Sequence, residues 1–367
     1  MNSTTQTARM ASPLAESWPE QDMETLGQCP VCNSQERTPL HGALTDRLFN
    51  CAPGNWQLHT CTACQVAYLD PRPTQASIGR AYSTYFTHTE VSAAACSAPK
   101  TPSRQERLRQ WIQSGLNDYR NARWQMHLTP ASSWGRLVVP LAWPLRNLLT
   151  AHMRHLPPHP PYPGARLLDV GCGSGAFLEM AQAAGWQVQG VDFDPQAVAS
   201  ACSRGLNVIC GGLEQVTDPA AGFDYLTCSH VIEHVHDPRQ WLDGMHSLLR
   251  PHGKLWLQTP NIASKGHVYF GGNWRGLEPP RHLILFTPEK LTTLLEDVGF
   301  AVRLLPLPML MAVPVYDASR NLANGRAHTE GVAWRSLLHM PSLWNAFMQS
   351  IRTNKAEFIT VEATRTR

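Results

Sequence analysis

The chain has 367 residues, 43% apolar and 16% charged, which suits a globular protein with a sizeable core and room for two or three domains. A net charge of +3 is too small to point to a nucleic-acid partner, and none is expected. The first 28 residues are polar and lack the apolar core of a signal peptide. The apolar stretch from Leu137 to Leu145 is cut by Pro140 and Pro144, so no transmembrane segment is expected. The expected compartment is the reducing cytoplasm, where clusters among the ten cysteines signal metal rather than disulfides.

Residues 1–27, rich in Ser, Thr, Gln and Pro, read as a mobile tail. Residues 28–73 hold two C-x-x-C knuckles, Cys29-Pro-Val-Cys32 and Cys61-Thr-Ala-Cys64. Two cysteines three apart can both reach one ion, and two such pairs complete a tetrahedral thiolate site. Four thiolates leave no open position, so a zinc there would be structural. The alternative is four unrelated buried cysteines. Cys51 and His59, between the knuckles, are weaker ligand candidates, His59 more naturally a surface histidine.

Tyr82, Tyr85 and Phe86 follow the knuckles closely and are expected to pack against the next domain. Residues 74–163 form a linker and a helical cover region. Within it, Arg104 to His127 carries an apolar helical stripe of Leu108, Trp111, Ile112, Leu116, Tyr119 and Met126. Arg104, Arg107, Arg109, Arg120 and Arg123 occupy its other face. The plain reading is a solvated basic face over the site; the sharper one is peripheral contact with a membrane or an anionic substrate. Trp134, Trp143, Arg136, Arg146 and Arg154 continue the mixture, and five prolines between Pro157 and Gly164 mark a boundary.

The 164–367 domain opens on Arg166-Leu-Leu-Asp169-Val-Gly171-Cys-Gly173-Ser-Gly175, an apolar strand ending in a glycine turn, followed by helical spacing to Gly185. The glycines also fit the dinucleotide pattern G-x-G-x-x-G/A. Asp169 favours a cationic ligand, because an acid there would repel a pyrophosphate at the helix N-terminus. The stretch resembles motif I of the class I S-adenosylmethionine (SAM)-dependent methyltransferases. The resemblance implies a Rossmann-like, seven-stranded, doubly wound α/β sheet with its last strand antiparallel. It assigns Asp169, Gly171 and Gly173 to the methionine end of SAM, Gly175 to the cofactor-binding turn and Asp192, at the end of the second strand, to the ribose. Gly212 and Leu213 stand where family members carry an acid for the adenine. Ser229-His-Val-Ile-Glu233-His234 looks like the signature after strand four, with Ser229 beside the cofactor and His234 as acid, base or loop-fixing residue.

The loop Trp274 to Pro288 resembles the substrate loop of bacterial methyltransferases that also carry an N-terminal four-cysteine zinc module, among them sugar C-methyltransferases. In that group a histidine followed four residues later by an aromatic is the base; His282 and Phe286 reproduce the spacing. The tyrosine and glutamate that precede the histidine there are replaced by Pro279 and Arg281. The other reading of His282 is a buried histidine tying the loop down. An apolar insertion at about 306–355 reads as a lid, a dimer face or a lipid-facing patch. The expected activity is methyl transfer to a small-molecule acceptor, a sugar, glycan precursor or secondary metabolite. The alternatives are a NAD-type oxidoreductase and a non-catalytic SAM-binding scaffold; the oligomeric state stays open.

Overall fold

The structure, a computed structural model, describes residues 17–83, 103–142, 153, 155–157, 159–217, 222–306, 311–326 and 353–366. The N-terminal module starts with β1 (Met23–Glu24), then an antiparallel meander of β2 (Arg37–Leu44), β3 (Trp56–Cys61) and β4 (Ala67–Leu69). The short β5 (Arg72–Pro73) pairs back on β1. Trp56, Leu58, Tyr68 and Leu69 are buried in its interior.

Helix α1 (Arg104–Trp124) begins with a Ser103/Glu106 capping box, the Ser103 side chain accepting from the Glu106 N–H. It crosses α2 (Gly135–Val138) at glycine contacts so close that a Cβ on Gly135 would lie 1.7 Å from the Gly115 carbonyl oxygen. The apolar stripe expected to face inward is split. Leu116 and Met126 are buried, but Leu108 and Trp111 are 57% and 54% exposed, and Ile112 is exposed as well. Periodicity shows that one face is apolar and does not say how far along the helix a neighbour covers it. Trp111 instead stacks on Trp134, with ring centroids 4.5 Å apart.

From residue 166 strand and helix alternate. β6 (Arg166–Val170) is followed by α3 (Ala176–Ala183), β7 (Gln187–Asp192) by α4 (Pro195–Ser203), then β8 (Val208–Cys210). β9 (Phe223–Ser229) leads through a one-turn 3-10 helix to α5 (Pro238–Leu248) and β10 (Leu249–Pro260). After α6 (Lys265–Phe270) come β11 (Ile284–Leu285), α7 (Pro288–Val298) and β12 (Phe300–Leu304). Helix α8 (Val313–Ala323) falls inside the expected apolar insertion, and β13 (Phe358–Arg365) closes the sheet. Thr287 caps α7 by accepting from the Lys290 N–H, with Pro288 in its first turn.

Among the described residues the main sheet has seven strands in the order β12-β13-β10-β9-β6-β7-β8, and β13 runs antiparallel to both neighbours. Side chains of β6 alternate between its faces. Leu168 and Val170 join the core under α5 and α7, while Leu167 joins the one under α3 and α4. The sheet is therefore covered on both sides, as parallel strands require. β11 does not belong to this sheet. It extends the N-terminal meander, pairing Ile284 with Tyr68 and Leu285 with Ala67. The N-terminal module and the 164–367 domain thus share a sheet and one continuous core. Among the described residues no helix is long and apolar enough to cross a membrane. Trp143, Arg146, Arg154, Trp334, Leu343, Trp344, Phe347 and Met348 lie outside the described residues, as do Tyr85 and Phe86.

Candidate functional site

The glycine turn sits at the carboxyl end of β6. Gly171, Gly173 and Gly175 have φ of 75°, 52° and 82°, the left-handed region that side chains disfavour. A Cβ on Gly171 would meet Val231 at 2.4 Å, whereas one on Gly173 would enter open space, so the turn presents bare backbone on that side. Asp192, ending β7, reaches this backbone. Its Oδ2 accepts from the Gly173 N–H at 2.7 Å and its Oδ1 from the Asp194 N–H at 2.9 Å. Asp194 itself caps α4.

Asp169 behaves differently from the expectation. It is only 7% exposed and its Oδ1 accepts from the Thr227 hydroxyl at 2.6 Å. The acid that touches the turn is Asp192. Burial pushes the Asp169 carboxyl up to about 7, with the Thr227 hydrogen bond opposing and Asp192 adding to the rise. Burial also raises Asp192. Among the described residues neither acid forms an ion pair. Two buried carboxyl groups beside open backbone form a cradle that suits a cation and ribose hydroxyls, the groups that SAM offers.

A carboxyl whose folded value is raised stabilises the fold below its ordinary range and loses that contribution as pH rises through about 7. Asp169→Asn keeps the Thr227 contact and removes the charge. Without ligand the variant should melt above wild type at pH 8, with the gap closing toward pH 4. The slope difference is at most ~1.4 kcal/mol per pH unit. Denaturant melts across that range read it directly.

Leu213 starts a one-turn 3-10 helix after β8, half-buried and packed toward α5. Ser229 ends β9, in register with Gln258 of β10. Both lie on the carboxyl edge with Asp192, where open α/β sheets bind ligands. His230 next to it has φ 60°, and its Nδ1–H donates to Glu233 Oε1 at 3.2 Å. Glu233 is fully buried and also accepts from the Thr259 hydroxyl at 2.9 Å. Burial alone would raise its carboxyl, but His230 and the neighbouring imidazoles of His234 and His282 hold it down at about 2.

His234 and His282 meet here, ring centroids 4.8 Å apart, although 47 residues separate the backbone of His234 from its partner Arg281. The His282 Nδ1–H donates to the Gly276 carbonyl at 2.7 Å. The His234 Nδ1–H donates to the Arg281 carbonyl at 2.9 Å and lies 3.0 Å from the Tyr82 hydroxyl. A carbonyl can only accept, so the His282 ring carries a proton on Nδ1, and with the ring neutral its Nε2 keeps a lone pair. Burial lowers the His282 imidazole to about 4, so it is neutral at physiological pH. Ligand atoms of Glu233, His234 and His282 all lie within 4.8 Å of one another, close enough to serve as a proton-handling group or to take an ion.

The four cysteines also converge. Cys29 and Cys64 have their Sγ atoms 3.6 Å apart, Cys32 and Cys61 3.5 Å, and all four lie within 4.8 Å of one another. Zn–S bonds of about 2.3 Å in a tetrahedron give S–S edges of about 3.8 Å, so the spacing fits zinc and is far too long for disulfides. Each knuckle closes with the same turn, Asn33 N–H to Cys29 O and Gln65 N–H to Cys61 O, both at 2.9 Å. Asn33 and Gln65 each sit near φ 60°. The crowded sulfurs cannot all ionise unaided: contact with Cys64 draws the Cys29 thiol down, and contact with Cys29 pushes the Cys64 thiol up. Cys51 is not part of the set; its Sγ donates to the Ala81 carbonyl at 3.1 Å. His59 is half-buried against Tyr68 instead of lying on the surface.

Sequence reasoning missed the groups that hold the histidine loop. Arg281, directly before His282, is fully buried. It donates to Asp46 Oδ1 at 2.6 Å, Glu278 Oε1 at 3.1 Å and the Ala81 carbonyl at 2.9 Å. Its guanidinium also lies over the Phe49 ring at 4.3 Å. Trp274 Nε1–H donates to Glu357 at 2.7 Å, tying the loop to the chain just before β13.

Residues 145–305 match the family described as a methyltransferase domain. The match spans the glycine turn, both histidines and the strands from β6 to β12, and covers less than half of the chain. Over 132 residues the chain is 30% identical to a ubiquinone biosynthesis O-methyltransferase of Coxiella burnetii, covering 34% of this chain and 56% of that relative. Over 105 residues it is 40% identical to a protein of the same name from Xanthomonas oryzae pv. oryzae, covering 27% and 44%. The chain thus spans about half the length of the curated relatives it matches. A SAM-dependent methyltransferase structure from Archaeoglobus fulgidus aligns at 20% identity and a TM-score of 0.41, covering 63% of this chain and 99% of that one. The family match, together with the sheet order, supports a class I SAM-dependent methyltransferase domain. It does not reach the four-cysteine module.

Proposed function

We propose that the chain transfers a methyl group from SAM to a small-molecule acceptor held between the carboxyl edge of the sheet and the loop 274–288. The observation that carries this reading is the Asp192 carboxylate bonded to the Gly173 N–H inside the glycine turn. It takes up a turn N–H that a pyrophosphate would otherwise use. Asp192 would hold the ribose, Asp169 and the glycines the methionine end, and Leu213 and Ser229 would flank the rest of the cofactor. SAM supplies an already activated methyl on a sulfonium, so the protein mainly aligns the acceptor and removes its proton. His282 is assigned that proton, through the Nε2 lone pair that its Gly276 hydrogen bond leaves free. His234 stands beside it as the second proton-handling group. The likeness to O-methyltransferases favours a hydroxyl as the acceptor group. The four cysteines would hold one structural zinc.

Thermal melts with SAM and NAD side by side test the reading. The true cofactor stabilises the fold by mass action, about 2.7 kcal/mol at a hundred times its Kd. SAM is expected to raise Tm and NAD to leave it unchanged; the reverse would make the protein an oxidoreductase.

A further inference from the structure

We propose that Asp46 of the N-terminal module is a positioning residue for the acceptor site, acting through Arg281 to hold the His282 imidazole in one tautomer and one orientation. This rests on the reading of His282 as the proton acceptor. Asp46 and Arg281 are 235 residues apart in sequence and completely buried in contact with each other. Both Asp46 carboxylate oxygens accept from the guanidinium, at 2.6 and 3.1 Å, and the same carboxylate accepts the N–H groups of Phe49, Cys51 and Ala52 at 3.2, 3.1 and 3.1 Å. The acid is thereby fixed to its own loop before it reaches Arg281.

Arg281 passes the constraint on. Its Nε–H donates to Glu278 Oε1 at 3.1 Å, and Glu278, also bonded by Arg275, faces His282 Nε2 at 3.8 Å. The Arg281 and His282 N–H groups both return to the Glu278 carbonyl, at 3.0 and 3.2 Å. This winds residues 278–282 into a tight turn, which sets the distance from the His282 ring to the Gly276 carbonyl. One residue further on, the Leu283 carbonyl accepts the Leu69 N–H at 2.9 Å, and β11 pairs with β4, which follows the second cysteine knuckle directly. The thiolate module and the buried pair therefore clamp the histidine loop from two sides. An Arg–carboxylate fork buried this completely is costly to break on one side only, because the remaining charge is left unpaired.

Imidazole 15N shifts of the full-length protein report the tautomer directly, with the His282 signals assigned by their loss in His282→Gln. Wild type is expected to show one pure Nδ1–H tautomer at His282. Asp46→Asn should average the two nitrogen shifts while leaving the signals of His246, which packs on Phe300, in place. Arg281→Lys keeps the charge and loses the fork, so it should give a partial shift in the same direction, and it serves if Asp46→Asn does not fold. A folded variant with unchanged His282 signals would overturn the proposal and leave Asp46 a structural acid. The tautomer readout is independent of catalysis, so a failure of His282 as base would show separately, as unchanged turnover in His282→Ala.

Discussion

Stripping the proposed zinc from the four-cysteine site should cost this protein more stability than any single surface change. Cys29 and Cys61 are wholly buried, and the knuckles hold the ends of β3 and β4, which in turn carry β11. Without an ion, four close thiols must either stay protonated or repel one another, leaving the knuckles joined by the β2–β3 pairing and the Thr62–Glu36 backbone bond. Structural zinc contributes on the order of 10 kcal/mol to small modules that fold around it. Here part of that loss would be buffered by the shared core, so a Tm drop of about 10 °C or more is expected on chelation or in Cys61→Ser. The acceptor loop should loosen with it. Metal analysis finding no zinc near one equivalent, with an unchanged melt in Cys61→Ser, would refute the site.

The second large effect is chemical. His282→Ala removes the buried lone pair while leaving the glycine turn and Asp192 untouched. General-base contributions are typically 10²- to 10⁴-fold. Turnover with a competent acceptor should fall within that range at saturating substrate, and SAM affinity should stay within about twofold. A fall confined to affinity would instead make His282 a loop tie. His234→Ala is expected to be milder in turnover, because His282 carries the base and the His234 Nδ1–H is spent on the Arg281 carbonyl.

The sheet was legible because the strands and helices of the 166–305 region alternate with their own periods and turn signals. Gly185 at φ 90° ends the first helix where the sequence places it, and Asp194 and Thr287 cap the helices that follow β7 and β11. The cysteine knuckles were legible because ligand spacing is local. What the sequence hid was non-local. Nothing near Asp46 marks it as the partner of Arg281, and a two-residue strand such as β11 has no periodicity to detect. The tilt of Asp169 toward Thr227 depends on strand register between β6 and β9, which pattern alone does not supply. The outward Trp111 shows the same gap: a stripe reveals polarity, and only packing reveals the neighbour.

A crystal structure with S-adenosylhomocysteine bound tests the central claim most directly. The account predicts ribose hydroxyls on the Asp192 carboxylate, the amino end of the ligand toward Asp169 across the open side of Gly173, and the sulfur facing the His234–His282 pair. A ligand seated elsewhere, or Asp192 turned away from its hydroxyls, would contradict it.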